Sequence, residues 1–216
     1  MEIDEALGSL AIFPLPDVVL FPGTAMPLHV FEPRYVEMTR DVLAGSRHMA
    51  IVRLRRGFER EYHGRPPTYS IATAGEVVAS RELPGDRYAL VLRGTHRIEI
   101  ERELPPERSF RQVAARVLHD RPVDEDALAV DRAQLVGLCE RVASGLGESG
   151  AGLRELTRAA DTTSALTMIL ASTLVVDPDA RQDLLEERDP RARLVRLVER
   201  LTELLVELGP GGGAPN

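Results

Sequence analysis

The stretch FPLPDVVLFPGTAMPLHVFEPRYVEM, residues 13–38, decides the fold of this chain. It contains five prolines and one glycine among mostly apolar residues. Each proline removes a backbone donor, so strands in this stretch must be edges or be interrupted by bends. The pattern predicts short strands at Leu10–Phe13, Val18–Phe21 and Met26–Phe31. It also predicts a helix that begins at Glu32-Pro33, because proline is well suited to the first helical position.

The β pattern continues beyond this stretch. Further strands are predicted at 48–56, in two pieces around Gly75 within 68–82, at Tyr88–Leu92, at Ile98–Ile100 and at Phe110–Leu118. Turns are predicted at Leu83–Asp86 and at Gly94-Thr95. Short strands joined by Gly and Pro turns, with one early helix, favour a closed or nearly closed β barrel.

From Asp124 onward the apolar residues recur at helical spacing. One buried stripe is predicted to hold Leu128, Leu135, Cys139, Val142 and Leu146. A central buried helix is predicted over 161–176, and Asp-Pro pairs at 177 and 189 are predicted to begin two more. The last helix is predicted to bury its leucines up to Leu208 and to expose its Arg and Glu face to solvent. The chain is thus predicted to be α+β, with a barrel domain at 1–122, a helical domain at 123–209 and a disordered tail at 210–216.

Composition excludes several classes of protein. All 27 basic residues are arginine, so a Walker-type phosphate loop and a Ser–Lys dyad, which both need lysine, are excluded. Cys139 is the only cysteine, and the five histidines lack metal-ligand spacing. We therefore expect no catalytic residue, no cofactor and no metal. No apolar run approaches the roughly 20 residues of a membrane span, and the acidic N-terminus differs from a secretory signal. A cytoplasmic location is expected.

Several segments resemble the N-terminal domain of Lon proteases. The resemblance begins with FPLPDVVLFPG, PLHVFEPRY and the helix that follows, continues through Gly75-Glu76-Val77, and includes two strands on either side of Arg93-Gly94. It also includes Leu184-Leu185-Glu186 and the long last helix, and covers about residues 8–208. The first block is specific, whereas the later ones are individually weak. This chain is similar to the stand-alone bacterial Lon substrate-binding-domain proteins.

The resemblance implies a PUA-like β barrel followed by a helical bundle. It implies a non-enzymatic module that recognises unfolded or tagged polypeptides, with an adaptor or chaperone-like role in protein quality control. A separate protease or chaperone is a candidate partner. The ATPase and peptidase parts of Lon have no counterpart in these 216 residues. Client identity and oligomeric state are not predicted by the resemblance.

Four apolar residues of the opening region are the candidates for polypeptide binding. They are Phe21, Leu28, Phe31 and Tyr35. A groove for unfolded chains should be apolar and should leave backbone groups available at a strand edge. The alternative is that these side chains form the core between barrel and helix. Arg34 and Arg93 are candidate polar contacts to a peptide carboxylate, with local ion pairing as the alternative.

A basic loop supports a different function, RNA binding. Its arginines are Arg53, Arg55, Arg56, Arg60 and Arg65, interleaved with Phe58, Tyr62, His63 and Tyr69. Arginine beside stacking aromatics is typical of single-stranded RNA recognition. Glu59 and Glu61 interrupt this run, and the net charge of −7 disfavours nucleic acid as a partner.

Overall fold

A computed structural model gives the fold and describes residues 3–61 and 64–207. Contacts within the chain divide it into two compact units, Met1–His119 and Asp120–Asn216. In the described residues, all strands belong to the first unit, and the second is helical. The predicted α+β class is therefore confirmed. That 1–122 and 123–209 are separate domains stays a prediction, and the predicted tail at 210–216 lies outside the described residues, as does Leu208.

The strands of the first unit form one sheet. They are β1 Leu10–Leu15, β2 Ala25–Val30, β3 His48–Arg53, β4 Ile71–Leu83, β5 Arg87–Glu103 and β6 Arg111–Val117. The sheet order is β2-β5-β4-β3-β1-β6, and β5 pairs with β6 as well. Five strands thus form a closed ring, while β2 pairs with the first half of β5. Of these pairings only β1 with β3 is parallel.

The first unit has two apolar clusters. One draws side chains from all five ring strands and so fills the ring: Ile12, Ala50, Ala74, Ile98 and Val113 are among its buried members. A short helix α1, Ile3–Ala6, adds to this cluster. The other packs α2, Pro33–Ala44, against the sheet, and includes Phe13, Met38 and Leu92. As predicted, α2 has proline in its first turn and ends before Gly45.

Two predictions about the opening region and β5 are wrong for one reason. The described backbone of Val18–Phe21 is a loop rather than a strand, and Gly94 lies inside β5 rather than in a turn. The loop crosses β5 at Gly94, where an added Cβ would lie 2.4 Å from the Phe21 carbonyl oxygen. The Gly94 N–H donates to the Thr24 carbonyl at 2.8 Å. Glycine is needed at this position for close backbone approach.

The irregularity predicted at Gly75 is present, but it does not break the strand. β4 is continuous and carries register shifts at Ala74/Gly75 and at Val77/Ala79. An added Cβ at Gly75 would lie 2.6 Å from the Arg93 carbonyl oxygen. Glycine lets the strands stay close at the shift.

The second unit contains five α-helices among its described residues. They are α3 Ala129–Gly145, α4 Ala151–Ala159, α5 Thr163–Leu174, α6 Pro178–Glu186 and α7 Pro190–Glu207. Both Asp-Pro starts are confirmed: Asp177 accepts from the Ala180 N–H at 2.8 Å, and Asp189 from the Arg191 N–H at 2.9 Å. None of the described helices is long and apolar enough to cross a membrane.

Two predictions for these helices are wrong. Leu146 is partly exposed because it follows the last residue of α3. Arg193, on the predicted solvent face of α7, is fully buried at 0% exposure. Its guanidinium donates two hydrogen bonds to the Asp120 carboxylate, at 2.7 and 2.6 Å. Thr167, Ser164 and the Glu187 carbonyl accept further bonds from it. Burial of this cation is tolerated because its donors are satisfied.

Candidate functional site

One face of the first unit combines exposure with apolar character. The registers of β2 with β5 and of β5 with β4 place side chains in rows across three strands. One row is Pro27, Val91 and Ala79. The next rows are His29, Ala89 and Arg81 on one side, and Ala25, Arg93 and Glu76 on the other. We call this surface the β2–β5–β4 face.

The middle of the β2–β5–β4 face is a shallow apolar cavity of about 460 Å³. Pro27, Ala79, Ala89 and Val91 supply side chains to its lining. The opposite face of β5 is occupied by Tyr88, Leu90 and Leu92, which are buried in the core. Small side chains on the outer side, backed by large ones on the inner side, give a rigid depression of the size of a few side chains.

Phe31 lies at the end of β2 and next to this cavity. Its side chain is 64% exposed, an unusual value for a large aromatic residue. Its ring meets the His29 ring edge-on, with centroids 6.1 Å apart. His29 lines the cavity, so Phe31 extends the exposed apolar surface at one end.

The outward edge of β2 has no strand partner within the described ranges, because β2 is the end strand of the sheet. The Gly94 N–H donates to the Thr24 carbonyl, so the backbone groups of Thr24 point toward β5. Successive residues of a strand direct their backbone groups alternately to its two edges. Backbone groups of Ala25, Pro27 and His29 therefore point to the outward edge. Pro27 removes no ladder bond there, and its missing N–H limits uncontrolled pairing with other strands.

The four apolar candidates from the sequence do not form one groove. Phe21, at 0% exposure, and Tyr35 are buried in the first unit, where the Phe13 and Tyr35 rings lie 4.3 Å apart. Both side chains therefore lie in the core, as the alternative interpretation of the sequence expects. Leu28 is half-buried, and its backbone lines the cavity region, while Phe31 is open to solvent. Of the four, only Phe31 and part of Leu28 are accessible to a partner.

The two polar candidates have local partners. Arg34 donates to Glu32 at 2.9 and 3.1 Å and lies over the Tyr35 ring at 4.6 Å. Arg93 donates to Glu76 at 2.7 Å, across the β4–β5 ladder. Arg93 is exposed on the β2–β5–β4 face, whereas Arg34 is engaged beside the first turn of α2.

The arginines proposed for RNA binding are dispersed among several contacts. Arg53 is buried, and both Arg53 and Arg55 lie over the Tyr69 ring at 5.3 Å. Arg65 donates to Glu103 at 2.9 Å. Arg56 is exposed. Tyr62 and His63 lie outside the described residues, and so does the side chain of Arg60. Arg53 is thus buried away from solvent, and Tyr69 is half-buried with two arginines beside its ring.

Sequence reasoning missed Pro27, Ala79, Ala89 and Val91 as parts of a site. Ala89 and Val91 alternate with Tyr88, Leu90 and Leu92, so β5 has small or apolar residues on both faces around this point. These small or apolar residues on both faces of β5 were the signal in the sequence that could have indicated a site. It could not reveal that nothing within the described chain covers the outer face.

The described residues contain no group of three or more His, Cys, Asp or Glu side chains placed to hold a metal ion. Cys139 is buried in α3, and burial raises the pKa of its thiol from 9.0 to about 11. A thiol with such a pKa is a poor nucleophile at neutral pH.

The ring of strands, the helical second unit and the open apolar face define an α+β protein. Residues 9–203 match the family model of the ATP-dependent protease La (LON) substrate-binding domain. The chain belongs to this family, and the resemblance noted in its sequence is confirmed.

Related proteins and structures agree with this assignment. The chain is 28% identical to a Lon protease of Anaeromyxobacter dehalogenans over 196 residues, which are 89% of this chain and 23% of that protein. It is 26% identical to Lon protease 2 of Myxococcus xanthus, with the same coverage. A Lon N-terminal domain protein from Xanthomonas campestris has a TM-score of 0.65 and 25% identity, covering 88% of this chain and 97% of its own.

The N-terminal domain of a Mycobacterium avium complex Lon protease has the same fold, with a TM-score of 0.68 and 17% identity. It covers 90% of this chain and 98% of that chain. In contrast, this chain spans about a quarter of the length of the curated Lon proteases it matches.

Proposed function

We propose that this protein binds extended, unfolded segments of polypeptide on the β2–β5–β4 face and does so without catalysing a reaction. The observation that carries the proposal is the exposed Phe31 beside an apolar cavity and an unpaired strand edge. Membership of a substrate-binding family supports it. In a cell this activity would suit an adaptor or a chaperone-like protein that presents clients to a separate protease or chaperone.

The binding mechanism follows from the two properties of the face. Apolar side chains of the client enter the cavity and lose contact with water. This burial stabilises the complex by about 25 cal/mol per Å² of buried apolar area. The outward carbonyl groups of Ala25, Pro27 and His29 can accept hydrogen bonds from an added extended chain. Backbone bonds do not depend on client sequence, so affinity would be broad and selectivity modest.

The test is fluorescence anisotropy of a labelled unfolded polypeptide with the protein and with Phe31→Ser. Val176→Ser is the matched control, because Val176 is 81% exposed and lies in the other unit. We expect Phe31→Ser to weaken binding about tenfold, since an exposed aromatic anchor contributes roughly 1–2 kcal/mol. We expect Val176→Ser to bind as the unaltered protein does. Equal binding by all three proteins would contradict the proposal.

Single-stranded RNA, measured beside the polypeptide at two salt concentrations, separates the rival function. Phosphate contacts lose affinity steeply as salt rises, whereas apolar contacts do not. We expect polypeptide binding that survives higher salt. RNA binding without polypeptide binding would instead assign the site to the loop around Arg55 and Arg56.

A further inference from the structure

Positive charge is uncompensated at one end of the β2–β5–β4 face. Arg81 and Arg87 lie at this end, whereas Arg93 and the only described carboxylate of the face, Glu76, lie at the other end. Glu76 is paired with Arg93 at 2.7 Å. In the described part of the chain, neither Arg81 nor Arg87 has a carboxylate within ion-pair distance. This surplus is notable in a protein whose net charge is −7.

The two arginines occupy neighbouring positions of the β4–β5 ladder. Arg81 lies opposite Ala89, and Arg87 lies opposite Leu83, so Arg81 and Arg87 are diagonal neighbours on the same side of the ladder. Diagonal positions are about 7–8 Å apart. Both side chains are exposed, and Arg87 uses only its Nε, which donates to the Pro84 carbonyl at 2.9 Å. Like charges at neighbouring positions of a ladder repel, and an anion bound by both side chains would relieve the repulsion.

We propose that the β2–β5–β4 face selects client segments that carry a carboxylate near a small apolar side chain, with Arg81 and Arg87 binding the carboxylate. This inference rests on the proposed function. The row that contains Arg81 is adjacent to the row of Ala79, Val91 and Pro27, one two-residue step along the strands. That step is about 6.6 Å, so a client segment that crosses the cavity parallel to the strands, inward from the β2 edge, would carry its acidic group two residues from the side chain in the cavity.

The carboxylate could come from an Asp or Glu side chain or from the C-terminus of the client chain. Both present the same planar oxygen pair to a guanidinium. Clients that end in a short apolar segment would satisfy the site as well as clients with an internal acid. The peptides used in the test separate these two sources.

Three labelled peptides test the selection by anisotropy. One has an apolar residue followed two positions later by Asp and an amidated C-terminus, and the second has Asn in place of that Asp. The third has the Asn sequence cut so that a free C-terminal carboxylate lies two residues after the apolar residue. The proteins are the unaltered chain, the Arg81→Gln/Arg87→Gln variant, and the Arg102→Gln/Arg158→Gln control, which removes two exposed charges elsewhere.

We expect the unaltered protein to bind the Asp peptide about fivefold more tightly than the Asn peptide, as fits an exposed ion pair. The preference should disappear in Arg81→Gln/Arg87→Gln and remain in the control. Tight binding of the third peptide assigns the site to C-terminal carboxylates too, while its absence restricts it to side chains.

Equal affinity for the Asp and Asn peptides, or an Asp preference that survives Arg81→Gln/Arg87→Gln, would overturn the selection and leave the proposed function intact. Binding of none of the peptides would contradict both.

Discussion

One surface of the first unit and one interior site of the second unit use polar and apolar groups in opposite ways. The first unit leaves an apolar cavity, an exposed Phe31 and an uncompensated pair of arginines on its surface. The second unit buries a full cation, Arg193, and satisfies it with Asp120. The cavity described on the second unit is lined by charged residues, including Arg121 and Glu186.

Together with the proposed function, this difference predicts which substitutions should alter binding and which should alter stability. Buried polar groups that are fully hydrogen-bonded fix one arrangement of the helices, so changes there should alter stability. An exposed apolar surface contributes little to folding, so changes there should alter binding and leave stability nearly unchanged. Each of the following substitutions or conditions tests one side of this comparison.

The largest effect is expected for Asp120→Ala, which leaves the guanidinium of Arg193 buried without its carboxylate. Removal of one partner of a buried ion pair typically destabilises by about 3–5 kcal/mol. Chemical denaturation should show this loss in the transition of the second unit, and Asp126→Ala, at an exposed position, should change stability by less than about 0.5 kcal/mol. The double variant Asp120→Leu/Arg193→Met should recover much of the loss. Unchanged stability of Asp120→Ala would contradict the role given to Asp120.

A somewhat smaller effect is expected for Gly94→Ala in the first unit. The new Cβ would lie 2.4 Å from the Phe21 carbonyl oxygen, so either the loop or the strand must move. We expect this movement to lower the free energy of unfolding by about 1–3 kcal/mol or more. Gly137→Ala in α3 is the control, because no atom other than those of its chain neighbours and its own helix backbone lies within 4 Å of the added Cβ. The control should stabilise by about 0.5–1 kcal/mol. Thermal unfolding measures both, and an unaffected Gly94→Ala would mean that the loop does not cross β5 as described.

Alkaline pH should weaken the second unit through Cys139. Burial raises the pKa of the thiol from 9.0 to about 11, so the folded state holds this proton more tightly than the unfolded state does. The contribution of the protonated Cys139 thiol to stability is fully present below pH 9.0 and is lost as pH rises through about 11. The free energy of unfolding should therefore fall more steeply between these values in the unaltered protein than in Cys139→Ala. Parallel curves would contradict the assigned pKa shift.

The smallest effect on stability is expected for Phe31→Ser, within about 0.5 kcal/mol, although binding should weaken as proposed above. Phe21→Ala, at a fully buried position, should by contrast cost about 3–5 kcal/mol. Thermal unfolding of both variants separates the two phenylalanines directly. A large loss of stability in Phe31→Ser would place Phe31 in the core rather than at a binding surface.

Local signals in the sequence predicted much of the fold. Proline at the start of α2 and the Asp-Pro caps of α6 and α7 act within one helical turn, so sequence alone identifies them. The turn predicted at Gly94 is wrong because glycine is favoured both in turns and where two backbone segments approach closely. Only the tertiary structure shows that a distant loop passes over Gly94.

The candidate site was less predictable because it also depends on contacts that only the tertiary structure creates. Phe21 and Phe31 both follow apolar residues in one short stretch, and nothing local distinguishes the buried ring from the exposed one. Ala79 and Ala89 form a cavity because β4 and β5 bring them together and because their side chains are short. Arg193 resembles its solvated neighbours on α7 until Asp120, far away in sequence, is placed beside it.

The most direct measurement is to map the amide chemical shifts of the protein while an unfolded polypeptide is added. The largest shifts should fall at Phe31, Ala79, Ala89 and Val91, with His29 and Arg81 beside them, and they should be smaller in Phe31→Ser at the same polypeptide concentration. Shifts confined to Asp120–Asn216, or to the loop around Arg55 and Arg56, would contradict binding at the β2–β5–β4 face.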